Sequence, residues 1–118
     1  MNKIYFTWQE FDVAVKELAN KLPKDFHRIL GIPRGGLTIA VALSHITKKP
    51  LTYKLEDPEL LVVDDISDSG RTLNQYGPFA KYTATIHMVR DTIYVPTVYV
   101  HEKPKDAWIV YPWEVDNE

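Results

Sequence analysis

The segment Leu60-Leu61-Val62-Val63-Asp64-Asp65-Ile66-Ser67-Asp68-Ser69-Gly70-Arg71-Thr72 constrains this chain more than any other. Its apolar run reads as a strand buried on both faces, the pattern of a parallel sheet. Carboxylates crowd its carboxyl end. They are costly there unless a cation or sugar hydroxyls meet them. The Ser-Gly-Arg-Thr turn that follows, ahead of a helical pattern, can wrap an anion with backbone N–H groups and hydroxyls. Together these features suit a ligand that carries a phosphate, a hydroxylated sugar and a metal ion.

Composition narrows the class. The chain has 118 residues, 45% apolar and 25% charged, which is one domain of a soluble globular kind. Its net charge of −2 gives no sign of a nucleic-acid-binding surface. The absence of cysteine excludes disulfides and thiolate metal sites. His27, His45, His87 and His101 share no spacing, so a histidine metal site is not expected. No apolar run is long enough to span a membrane and no signal peptide is read at the start, so a cytoplasmic protein is expected, with no membrane partner. Lys48-Lys49 and Lys103 to Lys105 read as solvated charge clusters.

Along the chain, Thr7-Trp8-Gln9-Glu10 has the form of a capping box. Trp8, Phe11, Val15, Leu18 and Leu22 recur at helical spacing, as a core-facing stripe, until Pro23 stops the helix. Arg28 to Ile32 reads as a short strand, Pro33-Arg34-Gly35-Gly36 as a turn, and Leu37 to Ile46 as an apolar helix. Leu51 to Leu55 reads as another strand, joined to the acidic strand by Glu56-Asp57-Pro58-Glu59. Thr72 to Tyr82 predicts a helix interrupted near Gly77-Pro78, and Thr83 to Val89 a strand. From Tyr94 to Trp113 the tail is aromatic and β-like. This order predicts an α/β fold, a mostly parallel sheet flanked by helices on both faces. Ligands of such sheets bind beyond the carboxyl ends of the strands, which puts the Arg34 turn and the acids on one rim.

The acidic segment resembles the signature of the type I phosphoribosyltransferases, which bind phosphoribosyl pyrophosphate (PRPP). Asp64, Asp65, Asp68, Ser69, Gly70 and Thr72 fill every fixed place of that pattern. A receiver domain also pairs acids after a strand, but near its start and with a later Asp and Lys; this chain has neither arrangement. Arg34-Gly35-Gly36, before the acids, resembles the loop that binds pyrophosphate in purine members. The segment from Lys105 to Glu114 is similar to the C-terminal part of the xanthine-guanine and related 6-oxopurine enzymes.

The resemblance implies an Mg²⁺-dependent transferase of purine salvage. It would move phosphoribosyl from PRPP to guanine, xanthine or hypoxanthine and release pyrophosphate. It also implies pairing into a homodimer. Arg34, Gly35, Asp64, Asp65, Ile66, Ser67, Asp68, Ser69, Gly70, Arg71 and Thr72 would bind PRPP. Asp64 and Asp65 would hold the ribose hydroxyls, with Asp65 placing Mg²⁺. Asp68 would manage the proton of the purine imidazole. Trp108 would stack on the base, and the backbone at Ile109 would contact its edge. A C-terminal hood, residues 94–118, would carry that base site. Family members read the 6-oxo group with a lysine after the strand that follows the motif helix, and Arg90 lies nearest that place. They also carry a long mobile loop before the acidic strand, where this chain has Glu56 to Glu59. A short loop shields the reaction less from water. A non-catalytic PRPP- or nucleotide-binding module on the same fold is the alternative.

Overall fold

The computed structural model describes residues 2–115; Met1 and residues 116–118, the end of the expected hood, lie outside the described residues. Strand β1 (Asn2–Tyr5) leads into helix α1 (Trp8–Lys21) through a complete capping box. Glu10 N donates to Thr7 Oγ1 at 3.1 Å, and Thr7 N donates to Glu10 Oε1 at 2.9 Å. Strand β2 (Arg28–Gly31) is followed by helix α2 (Gly35–Thr47), then strand β3 (Leu60–Ser67) and a short helix α3 (Arg71–Tyr76). A 3₁₀ turn at Gly77–Phe79 ends that helical stretch where Gly77-Pro78 interrupts it. Strands β4 (Tyr82–Val89), β5 (Val98–Lys103) and β6 (Ala107–Val110) complete the chain.

The main sheet is parallel, in the order β2-β3-β4-β5. The pleat of β3 shows why its sequence is apolar without alternation. Leu61 and Val63 pack with α1 and α2 in one core cluster, beside Phe11, Leu18, Ile39 and Leu43. Leu60 and Val62 pack on the other face with Leu73 of α3. All four side chains are fully buried, each contributing about 1.5–3 kcal/mol of hydrophobic stabilisation. Helices therefore cover both faces, as the sequence pattern predicts.

Three expectations are corrected. Leu51–Leu55 is not a strand: Leu51 makes a single bridge to Ile29. Because Leu60 must start β3 beside Arg28, the chain has to return to the foot of the sheet, which leaves no length for an extended run. The apolar strand does not stop where its carboxylates begin but continues through Ser67. In the tail, β5 joins the main sheet beside β4, and β6 forms a separate parallel pair with β1. Trp8 also departs from the core stripe. It is 54% exposed and lies edge-on to Phe11 at 5.5 Å and tilted against Trp113 at 6.0 Å.

Candidate active site

Because β2, β3, β4 and β5 run parallel, the segments that follow them emerge on one rim. After β2, Ile32 N donates to the Val63 carbonyl at 2.9 Å, and the chain turns through Pro33 and Arg34 into α2. The Pro33–Arg34 peptide is cis. Glycine is required where this turn crosses β3. A Cβ on Gly35 would run into the Asp65 carboxylate, and one on Gly36 into the Val63 carbonyl. The pair thus lets the exposed Arg34 and the acids share one cleft. That cleft, about 620 Å³, is lined by Arg34, Gly35, Asp65, Trp113, Glu114 and Val115.

A second cleft of about 250 Å³ adjoins it through Asp65 and runs along Asp64 to Gly70, with Thr72 and Leu73. Its floor is the end of β3 and its wall is the turn into α3. Gly70 adopts φ +89°, and a Cβ there would press on Thr92 and on the backbone of Ile93 and Tyr94. Ser69 Oγ accepts from Arg71 N at 3.2 Å, which closes the bend, while Ser69, Arg71 and Thr72 stay exposed. Ser67 behaves differently. Its hydroxyl is buried, donates to the Tyr94 carbonyl at 2.7 Å and lies 2.9 Å from Thr92 Oγ1, so it braces the turn from beneath. Ile66 is half-buried.

Electrostatically the site is a pair of acids, Asp64 buried and Asp65 half-buried. Burial pushes Asp64 up from the ordinary carboxylate range, and the neighbouring Asp65 charge adds to it. Burial pushes Asp65 up as well, and Glu114 reinforces this. Asp65 N donates to Asp64 Oδ1 at 2.8 Å. Two adjacent carboxylates held above their normal affinity for protons form an oxygen donor set short of positive charge. That is the chemistry a hard divalent cation such as Mg²⁺ fits.

Asp68 lies farther out, with a 62% exposed side chain whose ionic neighbour is Lys103, Nζ to Oδ2 at 3.8 Å. Lys103 is the residue the sequence reading missed. It is not solvated: it is 7% exposed at the end of β5, and its Nζ donates to the Pro104 carbonyl at 3.0 Å. It lines a further hollow of about 500 Å³ with Val89, Arg90, Asp91, Glu102, Pro104 and Lys105. Arg90, the expected reader of the base, lines the same hollow with an 86% exposed side chain paired with Glu102 at 3.1 Å.

Trp108 lies on β6 with its side chain 55% exposed, opposite Lys3 of β1. The Ile109 side chain is buried in the core. Phe6 N donates to the Val110 carbonyl at 2.9 Å, so the backbone groups of Val110 and Trp108 face β1 and those of Ile109 face the opposite edge. The arrangement thus offers an exposed aromatic face beside a backbone edge.

A parallel α/β sheet with acids, a phosphate-sized turn and an Arg-Gly loop on one rim defines the type I phosphoribosyltransferase class. No family model matches the chain. The structure of a purine phosphoribosyltransferase from Pyrococcus horikoshii OT3 superposes with a TM-score of 0.87 at 36% identity, covering 100% of this chain and 98% of that one. The xanthine-guanine-hypoxanthine phosphoribosyltransferase of Helicobacter pylori matches in fold, with a TM-score of 0.80 at 22% identity over 97% of this chain and 95% of that one. In sequence, a xanthine-guanine phosphoribosyltransferase of Cereibacter sphaeroides is 27% identical over 115 residues, covering 74% of this chain and 68% of the relative. The chain belongs to the type I phosphoribosyltransferases, the family of that Pyrococcus purine enzyme. Its small size is shared with the Pyrococcus protein. Among the described residues, no helix is long and apolar enough to cross a membrane.

Proposed function

We propose that this protein transfers phosphoribosyl from PRPP to a 6-oxopurine base, releasing pyrophosphate, in purine salvage. One observation carries the reading: the Arg34–Gly35 turn and the Asp64–Thr72 segment meet at Asp65, in adjoining clefts on one rim. PRPP presents two anionic groups on either side of a ribose, and the two clefts offer a place for each.

Arg34 and the backbone at Gly35 receive the pyrophosphate, since a guanidinium fork matches phosphate oxygens. Asp64 and Asp65 accept from the ribose hydroxyls. The Ser69 and Thr72 hydroxyls and the Gly70 and Arg71 amides hold the 5′-phosphate, with Ser67 bracing the turn. Asp65 would hold Mg²⁺ together with PRPP, and the bound ion would supply positive charge against the leaving pyrophosphate. A purine nitrogen attacks the anomeric carbon as the bond to pyrophosphate breaks, and positive charge develops on the ribose beside the acid pair. Asp68 takes the proton from the purine imidazole. Lys103 donates to the 6-oxo oxygen, Trp108 stacks on the ring, and the Ile109 backbone meets its edge. A homodimer in the cytoplasm is part of the same proposal.

Incubation with PRPP, Mg²⁺ and single bases tests this. Pyrophosphate and nucleotide are expected with at least one of guanine, xanthine and hypoxanthine. None is expected with adenine, whose 6-amino group would set a donor against the Lys103 ammonium. Saturable PRPP binding without turnover of any base would replace the enzyme with a binding module.

Trp108 supplies a second test. Base–aromatic stacking contributes about 1–3 kcal/mol, so Trp108→Ala should raise the base KM roughly tenfold to a hundredfold. The PRPP KM should hardly change. Equal losses for both substrates would make Trp108 a structural residue of β6 instead.

A further inference from the structure

Asp65 stands where the sheet has run out. The Val63 carbonyl is bonded toward the β2 side, and Asp65, two residues on, carries its backbone groups to the same edge. Strand β2 has ended at Gly31, and the chain there has left for the Arg34 turn. The Asp65 carbonyl therefore has no strand opposite it. The Tyr111 hydroxyl takes that place and donates to the Asp65 carbonyl at 3.2 Å.

Tyr111 is itself held on every side. Its ring is buried, stacked on Trp113 at 4.9 Å and 7° and edge-on to Phe6 at 5.9 Å. Its backbone N donates to Glu114 Oε1 at 2.7 Å. Its hydroxyl lies 2.8 Å from His87 Nδ1. A phenol has one proton, and a carbonyl can only accept. With that proton on the Asp65 side, His87 must donate through Nδ1–H to the phenol oxygen. Burial lowers His87 to about 4, so its imidazole is neutral near pH 7 and has one proton to place on Nδ1, the tautomer this arrangement requires.

We infer that Tyr111, oriented by His87, is a positioning residue: its hydroxyl fixes the backbone of Asp65, and with it the acid pair, relative to the segment that carries Trp108. The inference rests on the phosphoribosyl-transfer reading. Tyr111 lies three residues beyond Trp108, directly after β6, so a single hydroxyl ties the platform for the base to the acids that face the ribose. Near-attack geometry depends on that register, since small misplacements of reacting groups are expensive in rate.

Tyr111→Phe separates the hydroxyl from the packing, because the ring stays. Steady-state kinetics are measured for wild type, Tyr111→Phe, His87→Asn and His87→Leu, with the melting temperature of each. Tyr111→Phe is expected to remain folded and lose about tenfold in kcat, the rate equivalent of one hydrogen bond. The base KM should be nearly unchanged, and the Asp65 carbonyl-carbon resonance should move. His87→Asn, whose amide nitrogen can stand near the Nδ1 position, should lose less kcat than His87→Leu. A folded Tyr111→Phe protein with wild-type kcat and KM overturns the inference, and so does a kcat loss that merely follows a lost folded fraction. Should Tyr111→Phe not fold, the His87 pair decides: equal losses in Asn and Leu overturn it, and a smaller loss in Asn supports it. A wild-type protein that transfers nothing overturns the phosphoribosyl-transfer reading and this inference with it. An active wild type beside an unaltered Tyr111→Phe removes only the role of Tyr111.

Discussion

Asp68→Asn is expected to reduce kcat by about 10²–10⁴-fold, the range for loss of a positioned acid or base. Binding of PRPP should stay within about twofold, since electrostatic and hydrogen-bonding contributions from the rest of the cradle are untouched. The position of Asp68 argues for this division. Its side chain is mostly exposed, and its ionic neighbour among the described residues is Lys103, 3.8 Å away. Among the described residues it braces no backbone, whereas Ser67 and Thr92 hold the turn by their own hydroxyls. Asparagine keeps the shape and removes only the capacity to take a proton. Rapid-quench turnover and equilibrium PRPP binding on the same variant measure the two effects separately. Unchanged turnover would dismiss Asp68 as the base. A collapse of PRPP binding would make it a ligand for the ribose or its cation instead.

What the sequence made legible follows from how local each signal is. The acidic segment could be read because strand, acids and turn are contiguous, and the capping box at Thr7 because its partners are neighbours. The common rim of Arg34 and Asp65 followed from strand direction alone. Lys103 escaped because its burial is a property of the sheet: it ends a strand lying against β4, and nothing nearby in sequence distinguishes it from the exposed Lys105. Strand β1 escaped for the same reason, since Asn2–Tyr5 pairs with Ala107–Val110 at the far end of the chain. The error at Leu51–Leu55 was of another kind. Alternation there is real, but the register of Leu60 beside Arg28 leaves the chain no room to extend. The Tyr111 contact depends on where β2 stops, which no pattern of residues records.

The acid pair itself leads to the second large effect, on stability. In metal-free protein, with chelator present, Asp64→Asn should raise the melting temperature at pH 8, where each ~1 kcal/mol is worth about 4 °C for a domain of this size. The sign follows from the direction of the shifts. Asp64 and Asp65 hold their protons more tightly folded than unfolded, chiefly through burial. Below about pH 4, the ordinary range of a free carboxyl, both states are protonated and no penalty exists. As pH rises from there, the unfolded chain releases protons that the folded chain retains, so stability falls until the folded pair ionises too. Wild type should therefore become less stable between about pH 4 and pH 8. Asparagine at position 64 removes one charge of the pair, and its Oδ1 can still accept from Asp65 N, as Asp64 Oδ1 does at 2.8 Å. The advantage of the variant should vanish near pH 4. Added Mg²⁺ and PRPP should reverse the order at pH 8, because ligand binding to the intact pair stabilises wild type by mass action. Calorimetry across pH, with and without ligand, reads all three outcomes. A variant less stable than wild type at pH 8 in chelator would mean that Asp64 is already compensated within the fold. The pair would then not be poised for a cation and a sugar, and the ribose-binding role would pass to other side chains.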